Sequence, residues 1–239
     1  MKNLKEMELL TQKGPACGTT SLAMIIRFLT QDTSITPEDI DEEIRRLPRM
    51  FSAPIDLIAY ARSRGLQAEE YNHVSLQWVE NLVMQGIPVM PLLDLTPDNA
   101  LDADQWHWVV VVAVEKTDDQ KTLLINNPWG EQEHWAEAKF LKEWACLKLM
   151  GLTFGYNKYL VAIGTRGDRL PPSRSEGLGA ANAITKGLAD VLNGFASIRR
   201  DRTLKGLNQI IGGVLRLIYG AVYLVGQNIC RQAKRVFKP

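Results

Sequence analysis

Residues 12–29 read Gln-Lys-Gly-Pro-Ala-Cys-Gly-Thr-Thr-Ser-Leu-Ala-Met-Ile-Ile-Arg-Phe-Leu. Gly14-Pro15 favours a turn and discourages a helix before it. Leu22, Ile25, Ile26 and Leu29 then recur at helical spacing, which predicts a helix from Cys17 to about Leu29. Cys17 therefore opens the helix, where N–H groups lacking intrahelical partners point at the sulfur and lower its thiol pKa. Gly18 would leave room for a substrate carbonyl. Gln12 could offer its side-chain amide to an oxyanion, together with the Cys17 backbone N–H. The same residues also suit an inert cysteine at a helix start, because free cysteine often behaves as a small hydrophobe.

Outward from this helix the chain reads helices first and strands afterwards. Thr36-Pro37-Glu38-Asp39 is a helix start, with a capping Thr, Pro at the first position and acids at the positive end. Ser52 and Ser75 can cap two more helices, which stop at Gly65 and Gly86. Short apolar runs follow at Pro88–Leu93, His107–Val114 and Lys121–Asn126. The last two are joined by Thr117-Asp118-Asp119-Gln120 and read as a hairpin. A short helix over Ala136–Ala145 and a closing strand over Tyr159–Ile163 complete the body. Helices segregated from antiparallel strands predict an α+β fold.

Two further stretches can carry chemistry. His107 opens the apolar strand Trp106-His107-Trp108-Val109-Val110-Val111-Val112, where flanking bulk can hold its ring towards a cleft and let it pair with a thiolate. Asn127, in Ile125-Asn126-Asn127-Pro128-Trp129-Gly130, ends the partner strand of the hairpin. It can return close to His107 and fix its tautomer. Asn126 points to the other face by strand alternation. His73, in a polar loop, and His134, before an amphipathic helix, lack such a setting. Each stretch alone also has an ordinary reading, a structural histidine or an Asn-Pro turn. Trp106, Trp108 and Trp129 suit either the cleft wall or the core. No phosphate-binding Gly-rich loop and no cluster with metal-ligand spacing is evident, so neither metal nor cofactor is expected.

The order Gln, Cys, His, Asn, with Cys opening the first large helix and His and Asn on successive strands, resembles papain-like cysteine proteases. The spacing of Gln12 and Cys17, the Ala-Cys-Gly segment and the compact size most resemble the C39-like peptidases, over roughly residues 8–164. Asn127-Pro128-Trp129-Gly130 is similar to the Asn-Ser-Trp-Gly segment of papain relatives. The resemblance implies Cys17 as nucleophile, His107 as general base then acid, Asn127 as orienter and Gln12 as oxyanion donor, with Gly18, Trp106 and Trp129 on the substrate side. C39-like domains usually carry Asp at the third position, where this chain has Asn. The implied reaction is cleavage of a peptide or amide bond through an acyl-enzyme. A thiol acyltransferase, or a catalytically silent papain-like binding or membrane-effector module, remains an alternative.

The bulk composition agrees with a globular chain of 239 residues, 46% hydrophobic and 23% charged. Three widely spaced cysteines form no disulfide framework, so a reducing, cytoplasmic compartment is expected. The first residues lack an apolar core of signal-peptide length. Charge is uneven: residues 1–164 hold 15 Lys and Arg against 23 Asp and Glu, residues 165–239 hold 13 against 4. The run 165–178 has the chemistry of a linker. The expected organisation is a papain-like (C39-like) domain over 1–164, the linker, and a basic amphipathic helical appendage over 179–239. In that appendage Leu204, Leu207, Ile211, Val214, Leu215 and Ile218 share one helical face. Such helices can lie on an anionic membrane surface, pack on a protein partner, or span a membrane over Gly206–Cys230. Arg216 near the centre of that span would cost about 2.5–3.5 kcal/mol. Nucleic acid is not expected as a partner. The acidic loop Asp94–Gln105, just before His107, suits either basic substrates or solvent.

Overall fold

The computed structural model describes residues 2–14, 16–44, 52–95, 106–117, 120–149 and 152–173, with 183, 210–218 and 220. The chain divides into two compact units, Met1–Ser175 and Glu176–Pro239.

The first unit opens with a 3-10 turn, Leu4–Glu6, followed by α1 (Cys17–Thr30), α2 (Pro37–Glu43) and α3 (Pro54–Ser63). After α3 come β1 (Gln67–Tyr71), α4 (Leu76–Met84), β2 (Val89–Asp94), β3 (Trp106–Trp108), β4 (Val110–Thr117), β5 (Gln120–Asn127) and β6 (Glu131–Ala136). The unit closes with α5 (Glu137–Glu143), β7 (Cys146–Leu149), β8 (Leu152–Asn157) and β9 (Leu160–Gly164). Among the described residues β1–β6 and β9 form one sheet in the order β1-β9-β2-β4-β5-β6, with β3 also on β2, and β7 pairs with β8. Every pairing is antiparallel. The architecture is the expected α+β arrangement of helices and antiparallel sheet.

Local chemistry explains the elements. In α1 every residue from Cys17 to Ile26 is buried, so the helix runs through the core and presents an apolar surface well beyond a single stripe. Its entry has no side-chain cap on Ala16. The Thr36 hydroxyl accepts from Asp39 N–H while the Asp39 side chain reaches back to the Thr36 backbone, which makes a full capping box before α2. The Ser75 hydroxyl caps α4 through Trp78 N–H. In contrast, α3 starts on Ala53 and Pro54, and Ser52, expected as its cap, is buried. Proline at the first helical position supplies the start in its place.

The run expected as one strand over His107–Val114 is two. Val109 divides β3, which pairs with Leu92–Asp94, from β4, which pairs with β5. Residues Trp108–Ala113 are all buried, as a near-continuous apolar run demands. The β4–β5 hairpin forms with Val110 opposite Asn126 and Thr117 opposite Gln120. Strands β1, β6, β7 and β8 were not foreseen. The sequences of β1 and β6, QAEEY and EQEHWA, are too polar to announce a strand.

Residues 165–173, expected as linker, are tied to the first unit. The Lys2 ammonium bonds Asp168 at 2.7 Å. The Tyr71 hydroxyl donates to the Pro171 carbonyl at 2.6 Å, and the Ser173 hydroxyl donates to the Glu70 carbonyl at 2.8 Å. In the second unit residues 210–218 are helical, with Ile211, Val214, Leu215 and Ile218 exposed. The remainder of the expected appendage lies outside the described residues. Among the described residues no helix is long and apolar enough to cross a membrane.

Candidate active site

Cys17 sits at the first position of α1 and is 7% exposed. Its sulfur lies 4.0 Å from the Trp106 carbonyl oxygen, one residue before His107 on β3. The tip of α1 therefore meets the start of β3. Behind it, the Ser21 hydroxyl donates to the Trp108 carbonyl at 3.3 Å and fixes the helix against the same strand. Gly18 belongs to this seam. A Cβ at that position would come within 2.9 Å of Ser52 and 3.0 Å of Trp108. The space at Gly18 is thus occupied by the chain's own side chains.

His107 is 4% exposed and Asn127 fully buried. Asn127 ends β5, and the hairpin register brings it back beside β3. Its Oδ1 lies 2.9 Å from His107 Nε2 and also accepts from Trp129 N–H at 3.1 Å. Its Nδ2 donates to the Glu133 carboxylate at 2.5 Å. A carboxylate only accepts, so Nδ2 must face Glu133 and Oδ1 must face the histidine. His107 Nε2 then carries the proton, and Nδ1 keeps its lone pair. Asn126 faces the other way, accepting from Gln132 and donating to the Met7 carbonyl.

Trp129 lies against the imidazole, with ring centroids 4.6 Å apart and planes 31° apart, and is itself 54% exposed. Its indole covers the His107 ring from solvent. Burial holds the His107 pKa below its ordinary value. The Asn127 hydrogen bond and the negative charge of Glu133 oppose that shift.

The loop before Cys17 is strapped to the Asn127–Gly130 turn. Thr11 bridges to Trp129, and Gln12 N–H donates to the Pro128 carbonyl at 2.6 Å. Gly130 has φ +96°, and a Cβ there would approach Thr11 Oγ1 to 2.5 Å. Only glycine allows that closeness. The Gln12 side-chain amide donates to the Gly14 carbonyl at 2.7 Å, which braces the turn leading into Cys17. An amide nitrogen carries two hydrogens, so a second remains beyond that bond.

The other histidines lie apart from this cluster in their contacts. His73 takes φ 57° in a loop whose N–H bonds Asn157. His134 is exposed on β6, 3.8 Å from Glu115. Of the acidic loop Asp94–Gln105, residues 96–105 lie outside the described residues. Among the described residues no group of three or more His, Cys, Asp or Glu is arranged to hold a metal ion. The residue that sequence reasoning missed is Glu133. Its one signal was the alternation Glu131, Glu133, Trp135 along a strand too polar to be recognised.

A thiol at a core-helix tip, facing an antiparallel sheet that carries a His–Asn pair, defines a papain-like cysteine-peptidase fold. The comparisons specify it further. The chain belongs to the Peptidase_C39 like family, whose model matches residues 4–149. Staphopain B of Staphylococcus aureus (strain MRSA252) is 26% identical over 141 residues, 55% of this chain. The match spans 35% of that relative's own length. A C39-like peptidase from Bacillus anthracis superposes with a TM-score of 0.51 at 14% identity, over 69% of this chain and 98% of its own. A double glycine motif protease from an AMS/PCAT transporter, in complex with leader peptide, gives a TM-score of 0.46 at 17% identity, over 66% and 91%.

Proposed function

We propose that the first unit is a thiol peptidase or amide hydrolase that works through an acyl-enzyme, with Cys17 as nucleophile and His107 as base. The observation that carries this reading is the division of labour on the imidazole. Asn127 engages Nε2 at 2.9 Å, which leaves Nδ1 as the nitrogen to serve a thiol. The Cys17 sulfur lies 4.0 Å from the Trp106 carbonyl, one residue before His107. The thiol proton passes to Nδ1, and the sulfur attacks an amide carbonyl. The oxyanion is held by the Cys17 backbone N–H and by the Gln12 amide hydrogen not spent on Gly14. Imidazolium then protonates the leaving amine as the C–N bond breaks. Water, deprotonated by the same nitrogen, attacks the thioester and returns the thiol.

Neutral Asn127 stabilises imidazolium less than a carboxylate would, but it fixes the same tautomer. Trp129, exposed and lying on His107, and Trp106 beside Cys17 suit the wall of the substrate cleft. The substrate class is a peptide or amide, in keeping with the family. Residues 179–239 act as a docking element for an anionic membrane surface or a protein partner. Their support is the excess of basic residues and the exposed face of Ile211, Val214, Leu215 and Ile218.

The test is exposure of the full chain to a mixed-sequence peptide library, with mass detection of cleaved products and of a thioester adduct on Cys17. Native chain should give both, and Cys17→Ala neither. Cys146→Ala should behave as the native chain. Transfer to added amines in place of water would make the protein an acyltransferase. Absence of products and adduct in the native chain would make the fold a binding module.

A further inference from the structure

Glu133 stands on β6 directly opposite Ile125 of β5. Asn127 lies two residues further along the same face of β5, at the diagonal position a long side chain can reach. Both carboxylate oxygens of Glu133 are engaged. Oε1 accepts from Asn127 Nδ2 at 2.5 Å, and Oε2 accepts from the indole N–H of Trp135 at 2.8 Å. Trp135 is buried, and the Lys139 ammonium sits 3.7 Å from its ring centroid. The carboxylate is therefore pinned from behind and aimed at one target. The chain His107–Asn127–Glu133–Trp135 runs from the reacting ring into the β5–β6 layer.

We propose that Glu133 is a positioning residue: it locks the Asn127 amide and sets, one residue behind His107, the negative charge that this chain's third position lacks. The inference rests on the reading of Cys17 and His107 as the reacting pair. An amide can rotate by half a turn at little cost to its shape. Rotated, Asn127 would present Nδ2 to His107 and enforce the wrong tautomer. A carboxylate on the far side forbids this, because it accepts only from Nδ2. Its charge also favours imidazolium through the polarised amide. Among the described residues, Glu133 of β6 is the charged group that bears on His107. Cys17 opens α1 beside the Trp106 carbonyl, and Asp94 ends β2 opposite Trp106. The Glu133 charge also bears on Glu143 of α5, whose carboxyl is held above its ordinary value chiefly by burial, against Lys139 and Lys142.

Two roles separate here. If Glu133 only knits β5 to β6, removal of its charge with retention of its shape leaves Cys17 chemistry alone. If it supports imidazolium, the thiolate–imidazolium population at pH values below the native midpoint shrinks. The experiment is alkylation of the full chain by iodoacetamide across a pH series, read at Cys17 by peptide mass, with melting curves as the folding control. Glu133→Gln should slow Cys17 alkylation roughly threefold at pH values below the native midpoint of the profile, with melting little changed. That equals about half a pKa unit, less than a direct carboxylate contact gives, because Asn127 intervenes. Asn127→Asp with Glu133→Gln moves the charge one residue forward and should restore the native rate or exceed it. A Glu133→Gln profile that superimposes on the native one overturns the proposal. So does a slowed Glu133→Gln that the relocated charge leaves slow. If Cys17 in the native chain titrates as an ordinary thiol, near about 8.5, the Cys17–His107 pairing itself falls. A depressed native profile with an unmoved Glu133→Gln removes only the assignment of Glu133.

Discussion

In the proposed mechanism His107 has to reconcile two opposed demands at one ring. It must be dry enough to act as a base beside a thiol, and it must tolerate a proton during the reaction. Burial lowers its pKa, while Asn127 and the Glu133 charge limit the fall. The consequence for stability has a definite sign. In the unfolded chain the ring takes its proton near the ordinary value of 6.5, whereas in the fold it resists until a lower pH. Its contribution is complete above that value and is lost as pH falls through it towards the lowered folded value. In Cys17→Ser, where no thiolate holds a proton on the ring, the chain should therefore lose Tm more steeply as pH falls below about 6.5 than Cys17→Ser combined with His107→Gln, which has no such proton to take. Parallel Tm curves for the two chains would show that burial of His107 carries no protonation cost.

At the scale of elements the site is a seam between α1, β3 and the end of β5. Its closeness depends on the turn after β5. Gly130 holds φ +96° with Thr11 against it, and the same turn carries Pro128 against Gln12 and Trp129 over His107. Gly130→Ala should destabilise the chain by about 1–3 kcal/mol, through backbone strain and contact with Thr11 together. It should also lower the rate of Cys17 alkylation, because the strap on the Gln12 loop shifts. Adding Thr11→Ala should recover part of the melting temperature, since it removes the contact but leaves the backbone strained. If Gly130→Ala melts like the native chain, the strap is not tight. This seam was legible in part. The turn at Gly14-Pro15, the stripe from Leu22 to Leu29 and the β-branched run after His107 state their elements plainly. Asn127 was legible because strand alternation separates it from Asn126. Glu133 was not, because EQEHWA has a strand's alternation without a strand's residues and is held by pairing to β5. Nor was the break at Val109, because an unbroken apolar run carries no mark of where one pairing partner gives way to another. Gly18 is expected on the substrate side, and the packing of α1 adds a second reason for glycine there, because a Cβ would meet Ser52 and Trp108.

For the whole molecule, the boundary of the first unit is a matter of which bonds cross it. Composition suggested an end near Gly164, but Asp168, Pro171 and Ser173 bond to Lys2, Tyr71 and Glu70. Compactness ends at Ser175. Gly, Pro and Arg give this run the look of a linker, yet Asp168 and Ser173 hold it through their side chains and Pro171 through its carbonyl. A chain of residues 1–175 should melt about 2–8 °C above one of residues 1–164, the loss of a few net hydrogen bonds at this chain length. Equal melting temperatures would return the boundary to Gly164. The excess of basic residues lies in 165–239, so the proposed docking of residues 179–239 on an anionic membrane surface, read as co-sedimentation with anionic vesicles, should weaken as salt rises.

The proposed mechanism requires an imidazole that shares its proton with a sulfur. The most direct measurement is an NMR titration of the His107 ring in the native chain and in Cys17→Ser. A thiolate stabilises imidazolium and a hydroxyl does not, so the His107 midpoint should fall when sulfur is replaced by oxygen. An identical midpoint in the two chains would mean that sulfur and ring do not interact, and the catalytic reading would be contradicted.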